Sequence, residues 1–161
     1  MPLPTLVTDR TLYDVTRWRE LRNKGYAAMT DTEKAEWDAA NMKGAYNASD
    51  LNRVGVALNY VRDRLAAASY IAADEFTAKV DWNATDLPTA GDLTNYLSYV
   101  STIREAMARY STTPPTPADT GALDYIEANN IEQIIIDVDA LITKMLQARF
   151  FFGDLYCGEV T

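Results

Sequence analysis

The sequence contains no histidine and a single cysteine. The first absence removes the commonest general base near neutral pH and the commonest metal ligand together. The second leaves Cys157 without a partner for an intrachain disulfide, so the fold is expected to owe nothing to oxidation. Basic residues are outnumbered as well: fifteen Lys and Arg against twenty-three Asp and Glu give a net charge of −8. At long range that balance opposes nucleic acid and anionic membrane. No apolar run approaches the length of a membrane span, and the opening MPLPTLVTDR is too short and too broken by proline for a signal peptide. The chain is therefore expected in the cytoplasm unless an assembly carries it out. There is no glycine-rich phosphate loop, metal-ligand spacing or hydrolase elbow. No cofactor or metal is implied.

What is present is the composition of an ordinary globular chain, 48% hydrophobic and 24% charged over 161 residues, enough for one domain, residues 1–161, with a sizeable core. Thr11 with Asp14 reads as a capping box, and Leu12, Val15, Trp18 and Leu21 then recur until Gly25, predicting a first helix over 12–24. Thr30 with Glu33 opens a short helix carrying Ala35 and Trp37. From Ser49, the spacing of Leu51, Val54, Leu58, Val61, Leu65 and Ala68 gives the clearest helix and a seam for another helix. Val56, Tyr60 and Ala67 fall on its opposite face, so this helix is either central to the domain or shares its second face with a neighbouring subunit. Residues 70–88 lose the period and read as an irregular connection. Thr89 with Asp92 opens a helix with one apolar stripe, and STTPPTPAD at 111–119 is a stiff proline-rich linker. From about 123 to 149 the chain reads as one long helix with Ile131, Ile134, Ile135, Val138, Ile142 and Met145 on one side and Ile136 in a more polar arc. The aromatic segment 150–161, with Phe150, Phe151, Phe152, Leu155 and Tyr156, follows directly.

Catalysis needs a converging pair of carboxylates or a nucleophile with its base, and the spacing offers neither. Asp124 and Glu127 read as a solvated face, Asp137 and Asp139 point about 200° apart on a helix, and Cys157 lacks a histidine to activate it. The best phosphate-facing feature is Arg10, Arg17 and Lys24, spaced by seven to line a stripe of the first helix, with Asp9, Asp14 and Glu20 close by. Candidate protein contacts are Val56, Tyr60, Ile136 and the run Phe150, Phe151, Phe152, Leu155 and Tyr156, which either folds back on its own bundle or joins a neighbour.

Four stretches, KGAYNASDLNRVGVALNYVRDRL, VDWNATDLPTAGDLTNYLSYVSTIREAM, NNIEQIIIDVDALI and FFGDLYCGE, together resemble a family of short proteins encoded among tail and baseplate genes of bacteriophages and prophages of gut Firmicutes. The likeness is an order of segments over nearly the whole chain and carries no catalytic motif. Phe152 and Cys157 stand where the family pattern has serine-like residues. The resemblance implies synthesis in the host cytoplasm, then a place in the virion, with other tail or baseplate proteins and copies of the chain as partners. The expectation is an all-α, mainly antiparallel helical bundle with a long C-terminal helix, doing structural or adaptor work without catalysis. The rivals are a nucleic-acid or packaging-associated protein using Arg10, Arg17 and Lys24, and a small enzyme of unrecognised type.

Overall fold

A computed structural model describes residues 2–39, 42–83, 85–118 and 123–153, with 149–153 as helical backbone. Among the described residues there are five α-helices and no strand: α1 Leu12–Lys24, α2 Asp31–Asp38, α3 Ala48–Ala67, α4 Ala90–Glu105 and α5 Tyr125–Gly153, with a 3-10 turn at Tyr26–Ala28. The all-helical bundle expected from the periodicity is what the chain forms. Thr11, Thr30 and Thr89 cap α1, α2 and α4 through reciprocal boxes with Asp14, Glu33 and Asp92. Helix α3 begins slightly earlier than its apolar pattern suggests, because Asn47 is the cap and accepts from the Ser49 and Asp50 N–H groups.

The core lies between α3, α4 and α5. Val54, Leu58, Val61 and Leu65 meet Val100 and Ile103 and the stripe Ile131, Ile134, Ile135, Val138 and Ile142. Each such side chain contributes about 1.5 to 3 kcal/mol on full burial. The directions of these helices depart from the antiparallel expectation. Near the start of α3, Arg53 bonds Glu132 near the start of α5; near its end, Arg64 bonds Asp139 and Thr143 farther along α5. Leu93, Tyr96 and Leu97 of α4 share a small cleft with Leu51 and Leu123 at that same starting end. The three helices therefore run the same way. The reason is in the connections: segments 68–89 and 106–124 are long enough to cross back over the bundle, whereas antiparallel neighbours need only short loops.

The first return is held on α3 by side-chain amides. Asn59 donates from Nδ2 to the Ala78 carbonyl and accepts the Ala78 N–H, both at 2.9 Å. Asn52 makes the same reciprocal pair with Trp82, both at 2.8 Å. Gly55 lies between them, and a Cβ there would stand 2.4 Å from the Lys79 carbonyl oxygen. An extended strip thus covers the flank of α3 that carries Asn52, Gly55 and Asn59, beside the face of Val56, Tyr60 and Ala67. The second return is pinned too: Arg104 Nε donates to the Pro114 carbonyl at 2.7 Å, and the buried Thr113 hydroxyl donates to Asp137 at 2.6 Å. Helices α1 and α2 form a hairpin at the starting end, tied by Arg17 to Glu36 and Lys24 to Glu33. The loop after α2 meets α1 backbone to backbone, since a Cβ at Gly44 would stand 2.0 Å from the Asp14 carbonyl oxygen.

Candidate functional site

Tryptophan is scarce here, three in the chain, and all three line one cleft. Trp18 comes from α1, Trp37 from α2 and Trp82 from the strip on α3; Met42, Tyr46, Leu51 and Pro88 add to the apolar lining of a space of about 660 Å³. Each element brings its ring for a separate reason. The cap at Thr11 and the Gly44 approach set α1, the α1–α2 ion pairs set Trp37, and the Asn52 amide pair sets Trp82. All three rings are half-buried, and Leu87, between the lining residues Asp86 and Pro88, is 89% exposed at the rim. Lys79 Nζ sits 4.0 Å from the Trp82 ring centroid and bonds Asp86. The volume lies in the usual range of a binding cleft, about 300 to 1,000 Å³. Trp18 and Tyr46 also line a second cleft of about 550 Å³ with Arg19, Lys43 and Tyr125.

Beneath Tyr46 lies a buried ion network. Arg10 Nη2 donates to Glu132 Oε1 at 2.7 Å and to Asp50 Oδ1 at 3.1 Å, while Arg53 Nη2 donates to the same oxygens at 2.8 and 2.5 Å. The Glu132 side chain is fully enclosed, and its other oxygen accepts the Val7 N–H at 2.6 Å. Two cations balance two anions. The Arg53 guanidinium is held charged against its own burial by the two carboxylates. Among the described residues, Arg10 Nε is the one enclosed side-chain polar atom without a hydrogen-bond partner; the Tyr46 ring stands 5.3 Å from the guanidinium carbon. The Tyr46 and Tyr96 hydroxyls meet at 2.5 Å, and burial pushes both phenols well above their ordinary value. Every charge in this cluster is matched, which is the chemistry of a brace rather than of a proton-transfer site.

The candidate phosphate contacts do not form a stripe. Arg10 precedes the Thr11 cap, is only 4% exposed and faces Asp50 and Glu132. Arg17 lies against Glu36, Glu20 and Glu33, and Lys24 against Glu33. A spacing of seven sees neither the helix boundary nor the acids that another helix brings. Asp124 and Glu127 prove to be the reciprocal cap of α5. Asp137 and Asp139 do diverge, to Thr113 and to Arg64.

Among the candidate protein contacts, Val56 is half-buried and Tyr60 packs partly on the core beneath the Arg64 guanidinium, while Ala67 on the same face is exposed. Ile136 is half-buried rather than exposed. Phe150, Phe151 and Phe152 continue the backbone of α5, while Leu155, Tyr156 and Cys157 lie outside the described residues. The tryptophan cleft was not legible as a site: its rings come from three segments, and only their rarity in the composition marked them. Among the described residues no group of three or more His, Cys, Asp or Glu side chains is arranged to hold a metal ion, and no helix is long and apolar enough to cross a membrane. Comparison with protein-family models, with curated proteins and with solved structures finds no match to this chain.

Proposed function

We propose that the chain is a non-catalytic contact component of a phage or prophage virion, an adaptor or structural part of the tail or baseplate. The observation that carries the contact reading is the gathering of Trp18, Trp37 and Trp82 on one open cleft. Tryptophan and tyrosine anchors set in a recess supply the largest binding contributions in protein interfaces. The placement in a tail or baseplate rests on the resemblance of the four sequence segments. The ion pairs of Arg17 and Lys24 and the burial of Arg10 favour a protein partner over a phosphate backbone.

The test is composition of the particle. Virions from an induced lysogen carrying this gene, purified through a density gradient, should contain the chain at a constant ratio to the major tail protein, and antibodies against it should label the tail or its tip. Intact particles with the chain left wholly in the soluble lysate would overturn the assignment.

A further inference from the structure

The strip on α3 leaves one of its edges open. Asn59 takes both main-chain groups of Ala78, and Asn52 takes both of Trp82. The peptide bonds are trans, and a trans peptide points its N–H opposite to its C=O. With the Ala78 carbonyl turned to Asn59, the Lys79 N–H points away from α3; with the Trp82 N–H turned to Asn52, the Asp81 carbonyl does the same. The Thr77 carbonyl follows, because the Ala78 N–H faces Asn59. None of these outward groups has a hydrogen-bond partner among the described residues. Thr77, Lys79, Val80 and Asp81 are exposed, Val80 at 42%, while Phe76 and Ala78 are buried. The segment is a strand edge without a sheet, held extended by two amide pins, and such an edge pairs readily with another strand.

The residues on the edge select the partner. A lysine there usually guards against pairing. Antiparallel pairing of the strip with itself about Val80, however, sets Lys79 opposite Asp81 of the second copy, twice by symmetry, and Val80 opposite Val80. Centring the pairing on Lys79 or on Asp81 would set like charges face to face instead. Within one copy the Lys79 ammonium lies over the Trp82 ring and bonds Asp86, whereas Asp81 makes no ion pair among the described residues.

We propose that two copies join antiparallel along residues 77–81, about a two-fold axis at Val80. Each Lys79 N–H donates to the Asp81 carbonyl of the other copy, and each Lys79 ammonium faces the other copy's Asp81 carboxylate. The Lys79 carbonyl, turned to Gly55, stays out of the ladder. The contact is isologous and closes at two copies. It goes beyond the contact proposed for the tryptophan cleft and does not depend on the tail assignment.

Exchange of charge in the full chain tests the register. In sedimentation velocity the wild type should move from 18.0 kDa toward twice that mass as concentration rises. Lys79→Glu and Asp81→Lys should each stay monomeric, since each sets like charges across the axis. Their equimolar mixture should recover the dimer, because every facing pair then carries opposite charges. A wild type that stays monomeric at the highest attainable concentration would overturn the proposal, as would a single variant that dimerises like the wild type or a mixture that stays monomeric. Hydrogen exchange on the wild type decides without any substitution: the Lys79 amide should gain protection between dilute and concentrated samples. A dimer whose Lys79 amide exchanges as fast as in the monomer would place the contact elsewhere and overturn the proposal. A charge-dependent dimer that is missing from purified particles would remove the virion assignment and leave this contact standing.

Discussion

Arg10 and Glu132 lie 122 positions apart and meet at 2.7 Å with almost no water around them. Taking charge out of water is costly, and the network offsets that cost because each oxygen of Glu132 has a donor and each cation an anion. Removing one partner is worse than never having built the set, since the remaining charge stays enclosed. Arg10→Met leaves Asp50 and Glu132 with Arg53 alone and should cost about 3 to 5 kcal/mol in a denaturant melt. Glu132→Gln should cost less, because the amide oxygen can still accept from an arginine. A loss below about 1 kcal/mol for Arg10→Met would mean that water reaches this corner.

At the scale of the element, capping is local and α3 is not. Its seam packs on α4 and α5, while its Asn52–Asn59 flank depends on two asparagines whose amides imitate a strand partner for Ala78 and Trp82. Asn59→Ala removes both bonds to Ala78, a buried residue whose peptide groups then lack partners. The expected loss is about 1 to 3 kcal/mol. Hydrogen exchange should localise it, with the Ala78 amide losing protection and α4 and α5 keeping theirs. Uniform loss of protection would show that the strip and the bundle open as one unit.

For the whole molecule, acid is the informative stress. The Lys24 ammonium, with the Thr30 backbone N–H, holds the Glu33 carboxyl down at about 2 against an ordinary 4.5. Asp9, Asp14, Glu36, Asp86, Asp92 and Glu105 are lowered as well, each by a hydrogen bond to a neighbouring lysine, threonine, arginine or backbone N–H. Groups lowered in the folded state bind fewer protons there than in the unfolded chain. Their stabilisation is complete above the ordinary carboxylate range and lost as pH falls from 4.5 toward about 2. The melting temperature should therefore fall through that window. These carboxylates sit near the surface, so salt should flatten the part of the fall that comes from ion pairs and leave the part that comes from caps. A melting temperature constant across the window would contradict the assignment of these pairs.

What the sequence alone determined is what depends on neighbours a few positions apart. Thr11, Thr30 and Thr89 announce helix starts because a cap is a bond between residues three apart, and the stripes of α3 and α5 name the core because helical period alone turns those residues one way. Tertiary structure decided everything that needs distant partners. Helix direction follows from where the described residues 68–83 and 106–118 lie down, and those paths rest on Asn52, Asn59 and Thr113 finding partners in distant segments. Arg10 shows the limit most sharply. Its spacing from Arg17 and Lys24 is a one-dimensional fact, whereas its burial is decided by Asp50 and Glu132, which only folding brings near. The tryptophan cleft is of the same kind, because three rings from three elements become a surface only when the hairpin and the strip close around them.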